Sequence, residues 1–204
     1  MARLILNSRG LNTRAGTLQI KKSLGDIGEK KLSEKSIYIV SFPEYAVDEL
    51  IRENCETILG FKPNNIYFSG YKFPDNNFTP DIIYVGEGNT FEVLQYMRKY
   101  GITQYIKNLI EESRGEIYVG SSAGAIIAGT DIMLARDFDS NYVGMVEYSA
   151  LGLFEGTIIP HYTSDELKRY ISNTEVHILR RYSNIFSVCN EEAIVINKEK
   201  EEKI

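Results

Sequence analysis

Cysteine, histidine and long apolar stretches are scarce in this chain, and each scarcity removes a class of function. Cys55 and Cys189 are too few for a disulfide framework or a cysteine-based zinc site. Each reads as a small apolar side chain within the fold. No apolar run approaches the roughly 18 residues that a membrane span needs. Asn7-Ser8-Arg9-Gly10 interrupts the first apolar stretch, so a signal-peptide core is missing and a cytoplasmic protein is expected. A surplus of basic residues is missing too. The net charge is −5, with Lys and Arg scattered among acids, which argues against a nucleic-acid partner. The one long charged run, Lys198 to Lys203, is mixed in sign and reads as a solvated tail over 198–204.

What is present is a repeating order. At 204 residues the chain is long enough for one domain with a real core, spanning 1–204. Short apolar runs at Leu4–Leu6, Ser36–Val40, Ile66–Phe68, Asp81–Val85 and Glu116–Val119 read as strands. Between them lie helical segments: Thr13 to Lys31, Val47 to Leu59 with Gly60 as its stop, Phe91 to near Gly101, and Ile102 to Glu112. Uninterrupted apolar strands alternating with helices predict an α/β fold, a mostly parallel sheet with helices on both faces. After Gly129 the pattern changes. Ile132–Leu134, Val143–Val146 and Gly156–Ile159 read as short strands or loops. A polar helix is expected from Asp165 to Leu179, with Ser164 as its N-cap. Ile185–Val188 and Ala193–Ile196 read as closing strands.

One stretch carries chemistry. Gly115 to Gly129 reads GEIYVGSSAGAIIAG: strand, sharp turn, helix, with a G-x-S-x-G centred on Ser122. Such a turn leaves no room for bulky side chains two residues either side of the nucleophile. That selects Ser122 over Ser121, whose flanking positions would be Val119 and Ala123. The Ala123 N–H, at a helix start, can stabilise an oxyanion. A serine needs a base, and only His161 and His177 are available. His161 ends an apolar run and enters a loop, as a strand-end base would. His177 lies inside a helical segment and reads as a packed or surface residue. The acid behind the histidine is open between Asp137 and Glu191, with Asp139 and Glu192 beside them. Gly86-Glu87-Gly88-Asn89 has three readings: a phosphate-binding turn, a helix start capped by Asn89, or a second oxyanion donor at the Gly88 N–H. The last is preferred, because both turns leave strands of one sheet.

These stretches together resemble the peptidase E (aspartyl dipeptidase)–cyanophycinase family of serine peptidases. The resemblance is carried by Val85-Gly86-Glu87-Gly88-Asn89-Thr90-Phe91, Gly120-Ser121-Ser122-Ala123-Gly124-Ala125, and Leu151-Gly152-Leu153 through Ile159-Pro160-His161-Tyr162. It implies a flavodoxin-like fold similar to class I glutamine amidotransferases, with Ser122 as nucleophile and His161 as base. It points to an acid in the loop after the nucleophile helix, where Asp137 lies. A late-turn glutamate is also argued for in this family; Glu191 is near that place, and a shift of one would put Asn190 there. Glu87 replaces the usual third glycine of G-G-G-N-T, and a carboxylate there would repel an oxyanion unless it turns outward. An aspartyl preference would want a cation, for which Arg136, Lys168 and Arg169 lie near the motifs.

The expected function is therefore hydrolysis of small peptides, with dipeptides bearing an N-terminal aspartate as one class, and with no metal or organic cofactor, no nucleic acid and no membrane. Two rivals are an α/β-hydrolase-type esterase and a non-catalytic member of the same fold that binds a small ligand or partner. The sequence fixes no oligomeric state.

Overall fold

Alternation along the strands divides their side chains between two faces. Leu4, Leu6, Tyr38, Val40, Ile83, Val85 and Tyr118 enter one core; Ile5, Ile37, Ile39, Ile82, Tyr84, Ile117 and Val119 enter another. The computed structural model describes residues 3–25, 32–41, 47–70, 78–112 and 116–197. The strands are β1 (Arg3–Asn7), β2 (Ile37–Val40), β3 (Ile66–Phe68), β4 (Ile82–Val85), β5 (Ile117–Ser121) and β8 (Ala193–Asn197). They form a six-stranded sheet in the order β3-β2-β4-β5-β1-β8, parallel except for β8, which runs antiparallel to β1. β6 (Thr157–Pro160) and β7 (Ile185–Val188) pair in parallel as a second, two-stranded sheet.

The two cores are roofed by different helices. The first takes buried residues from α3 (Thr90–Lys99), α4 (Ile102–Glu111) and α5 (Ala123–Ile127). The second takes them from α1 (Arg14–Leu24) and α2 (Asp48–Asn54), with the π-helical turn Cys55–Leu59 that continues α2. Gly60 closes that segment at φ 86°, as a left-handed stop should. This is the mostly parallel α/β architecture with helices on both faces that the alternating pattern predicts. Among the described residues no helix is long and apolar enough to cross a membrane.

Several boundaries differ from expectation. The first helix stops at Leu24 with Gly25 as its C-cap, and 26–31, the rest of its expected range, lie outside the described residues. The polar helix is two helices, α6 (Ser164–Asn173) and α7 (Val176–Leu179), separated where Thr174 turns extended at ψ 141°. Its N-cap is Thr163, not Ser164. The Thr163 hydroxyl accepts from the Glu166 N–H, while the Glu166 carboxylate takes the Thr163 N–H in return, a reciprocal pair that a Ser164 cap would not make. Ile132–Leu134 runs into a 3-10 turn, Met133–Asp137, rather than a strand. The expected tail, 198–204, lies outside the described residues.

Candidate active site

The sheet brings the sequence motifs to one end. β5 finishes at Ser121, β4 at Val85 and β1 at Asn7, so the turns that follow converge at the C-terminal edge, where open α/β sheets build their sites. β1 and β5 pair with Asn7 opposite Ser121. Two bonds hold the end of β5 there. The Ser121 hydroxyl donates to Asn7 Oδ1 at 2.8 Å, and the Ser122 N–H donates to the Asn7 carbonyl at 2.9 Å. Ser121 is fully buried. The register argument that separated the two serines thus has a physical counterpart: one hydroxyl is spent inside the sheet, the other stands at its tip.

Ser122 adopts φ 49°, ψ −109°, a conformation that costs a non-glycine residue about 1–3 kcal/mol. The surroundings enforce it. A Cβ at Gly120 would lie 2.6 Å from the Gly124 carbonyl oxygen, and one at Gly124 would lie 2.0 Å from the Val85 carbonyl oxygen. The Tyr118 hydroxyl donates to that Gly124 carbonyl at 2.8 Å, and the Gly124 N–H donates to the Gly86 carbonyl at 3.1 Å. The last bond joins the nucleophile turn directly to the Gly86–Asn89 turn. In the latter, Gly88 has φ 137°, open to glycine alone. Asn89 Oδ1 caps α3 by accepting from the Phe91 and Glu92 N–H groups, so the helix-cap reading of this turn holds beside any oxyanion role. Asp139 braces the same helix start. Its carboxylate accepts from the Thr90 N–H at 2.9 Å and the Thr90 hydroxyl at 2.6 Å.

His161 follows β6 directly. Its Nε2 lies 3.2 Å from Ser122 Oγ, within range for proton exchange. Ser122 and His161 are the two non-glycine residues with positive φ among the described residues, His161 at 66°. Backbone strain therefore falls on the two residues that meet. The histidine is fixed from behind. Its N–H donates to Ser8 Oγ at 2.8 Å, and the Ser8 hydroxyl donates to the Val188 carbonyl at 2.5 Å. One buried serine after β1 thus ties the end of β6 to the end of β7.

The structure does not bring Asp137 or Glu191 to the imidazole. His161 Nδ1 meets Asn190 Oδ1 at 2.8 Å, in the turn between β7 and β8. The Asp137 carboxylate instead accepts the Tyr170 hydroxyl at 2.6 Å, beneath an aromatic cluster of Phe138, Tyr162 and Tyr170. Glu191 faces Arg9 at 3.9 Å and is three-quarters exposed. His177 is exposed and pairs with Glu175 at 3.1 Å.

Glu87 turns away from the nucleophile turn. Its two carboxylate oxygens accept from the Gly10 N–H at 2.9 Å and from Asn12 Nδ2 at 2.6 Å. That pairing removes the objection to a carboxylate beside an oxyanion site. Each of the three nearby cations has a local partner: Arg136 lies 3.9 Å from Asp137, Lys168 pairs with Asp165 at 3.0 Å, and Arg169 Nε donates to the Asp165 carbonyl at 3.4 Å. Among the described residues no group of three His, Cys, Asp or Glu side chains could hold a metal ion.

Comparison with known proteins bears on the family and the fold. The family model described as peptidase family S51 matches residues 76–204, well over half of the chain. An uncharacterized peptidase of Listeria monocytogenes is 36% identical over 118 residues, covering 57% of this chain and 56% of the relative. A peptidase E of Shewanella amazonensis is 32% identical over 105 residues, covering 52% and 43%. The chain spans about half the length of the curated relatives it matches. In fold it is similar to a crystal structure from Listeria monocytogenes EGD-e whose protein is provisionally named peptidase E. The TM-score is 0.61 at 23% identity, over 98% of this chain and 100% of that one. A peptidase from an acI-B1 actinobacterium gives the same TM-score at 17% identity, over 96% and 83%.

Proposed function

The chain belongs to peptidase family S51, and from that membership and the geometry of its site we propose that it hydrolyses small peptides by a serine mechanism. The observation that carries this reading is the 3.2 Å approach of Ser122 Oγ to His161 Nε2, on two residues held at positive φ.

In this mechanism Ser122 Oγ attacks the scissile carbonyl carbon while its proton passes to His161 Nε2. Asn190 Oδ1 accepts the Nδ1 proton, which keeps Nε2 free to act as the base. An amide in this place orients the ring without adding a charge, as in cysteine hydrolases that use Cys, His and Asn. The tetrahedral oxyanion is held by the N–H groups of Gly88 and Ala123, on the two turns joined by the Gly124-to-Gly86 bond. His161 then gives its proton to the leaving amine, the C–N bond breaks, and an acyl-enzyme on Ser122 remains. Water, activated by the same nitrogen, releases the acid. Asp137 takes no part in the proton transfers in this reading; its carboxylate accepts the Tyr170 hydroxyl, and the Tyr170 ring packs against Tyr162.

Dipeptides with an N-terminal aspartate are one substrate class to test, as the resemblance to peptidase E implies. The experiment is covalent labelling with a fluorophosphonate probe. The wild type should label at Ser122, His161→Ala should abolish labelling, and His177→Ala should leave it. A folded protein that does not label at Ser122 overturns the reading in favour of a ligand-binding member of the family.

A further inference from the structure

Phe138 lies in the segment that joins the two sides of the site. The residues after it are tied to the turn of the proposed oxyanion donor. The Asp139 carboxylate accepts from the Thr90 N–H and hydroxyl, and Asn89 Nδ2 donates to the Ser140 carbonyl at 3.0 Å. Asn89 and Thr90 directly follow Gly88. On its other side the Phe138 ring meets that of Tyr162, the residue after His161, at 5.5 Å and 81°. It also meets Tyr170 at 5.6 Å and 36°, and the two tyrosine rings meet each other at 6.0 Å. The aromatic group therefore borders the reaction centre, between the Gly88 turn and the proposed base.

The three rings are not equivalent. Tyr162 and Tyr170 are half-buried against the cluster of Leu134, Ile159, Ile178 and Tyr182, which roots them in the fold. Phe138 lies outside that cluster and is 41% exposed. A single exposed phenyl means little. This one stands on two rooted rings, and hydrogen bonds fix its backbone. Its N–H donates to the Ala135 carbonyl at 2.9 Å, and the Asp139 N–H donates to the same carbonyl at 2.7 Å. Such a surface is preorganised, so covering it with an apolar group of a ligand carries little ordering cost on the protein side. A further ring laid against the three would add aromatic contacts to the gain from buried area.

We propose that Phe138, with Tyr162 and Tyr170 behind it, forms a substrate subsite for an apolar side chain, best an aromatic one, on a residue next to the scissile bond. The proposal rests on the peptide-hydrolase reading and names a substrate feature for it. It departs from the aspartyl preference that the resemblance to peptidase E implies, because a phenyl face offers a carboxylate no hydrogen bond and opposes its desolvation.

The test is calorimetric binding to the Ser122→Ala protein, which needs no turnover. Phe, and separately Asp, replaces Ala at each position of tetra-alanine in turn. The expected result is about tenfold tighter binding with Phe than with Ala at one position or more, and no such gain with Asp there. Adding Phe138→Ala should bring that ratio to within about twofold of one, and Phe138→Leu should keep part of it. The chain has no tryptophan, so Phe138→Trp in the same background gives a reporter that does not depend on the truncated variant folding. Its emission should shift to the blue when the Phe peptide binds, and shift less with tetra-alanine. Equal binding of Phe and Ala peptides at every position, tighter binding with Asp than with Phe at the preferred position, or no measurable binding of any peptide overturns the proposal. So does a ratio that persists in a folded Phe138→Ala protein, or an emission that the bound Phe peptide leaves unshifted. Fluorophosphonate labelling of the wild type at Ser122 is read in parallel. Labelling without a Phe preference removes the subsite alone, whereas absence of labelling removes the hydrolase reading and the subsite with it.

Discussion

His161 Nδ1 meets an amide oxygen, that of Asn190, at 2.8 Å. In the proposed mechanism the amide fixes the tautomer and the ring plane but contributes no countercharge to an imidazolium formed during attack. Asn190→Ala should therefore slow kcat by about ten- to a hundredfold through loss of orientation. Asn190→Asp should keep the activity and move the acid limb of the pH–rate profile upward, because a carboxylate favours the protonated ring. A pH–rate profile of the two variants checks both outcomes.

Asp137→Asn and Glu191→Gln should each leave kcat/KM within about threefold of the wild type, since surface changes away from a site have small effects. Neither carboxylate touches His161; one serves Tyr170 and the other is exposed beside Arg9. A loss above a hundredfold in Asp137→Asn, with Asn190→Ala active, would reverse the assignment.

The strained turn at Ser122 was legible in the sequence because its constraint is local. Gly120 and Gly124 are required by clashes with atoms a few residues away in the chain or on the adjacent strand, and a pattern of small residues records that directly. His161 was legible by scarcity, since the only rival was His177. The partner of His161 Nδ1 was not legible from the residues alone. Both residue-level candidates were acids, whereas the contact with Asn190 is set by the turn between β7 and β8 and by Ser8, residues far apart in sequence. The resemblance did offer Asn190 as the residue one place away from Glu191. The fold followed from the alternation of apolar runs and helices. The break between α6 and α7 and the cap at Thr163 did not, because apolar periodicity records neither: the cap is a reciprocal pair between Thr163 and Glu166, and the break is the single residue Thr174 turning extended.

Gly124→Ala should be among the most damaging single changes. A Cβ there would meet the Val85 backbone at 2.0 Å, on a central strand that cannot yield. Overpacking of this kind costs typically 1–3 kcal/mol and more against backbone. Urea unfolding should show a clearly lowered midpoint, or the variant should fail to accumulate.

Ser8→Ala removes the one hydroxyl that both receives the His161 N–H and donates to the Val188 carbonyl. The buried Val188 carbonyl tolerates the loss of its donor poorly, at about 1–3 kcal/mol for an unsatisfied group, and the part-buried His161 N–H loses its acceptor as well. Activity should fall in kcat more than in KM, since the proposed base is displaced while the Ser122 turn keeps its bonds to Asn7 and Gly86. Steady-state kinetics and a denaturation curve measure the two effects.

Asp81 supplies an acid-sensitive contact far from the site. Burial would raise its carboxyl, but the Ser36 N–H, the Lys35 ammonium and the Ser36 hydroxyl outweigh that and hold it below the ordinary carboxylate range. The folded value is depressed, so the contribution is present above the unfolded value near 3.9 and fades as pH falls through the folded one. Asp81→Asn should lower stability at neutral pH and flatten the loss of stability below about pH 4. Melting curves across that range test the sign.

Ser122 rides on the six-stranded sheet, whereas His161 and the approach to Asn190 ride on β6 and β7. The proposed nucleophile and base are thus separate cargoes, latched together by Ser8. If the small sheet loosens first under denaturant, the reaction stops while the large sheet still holds its pairing. Activity in this molecule is then a gauge of the latch between two platforms, and it should vanish before the bulk spectroscopic signal does.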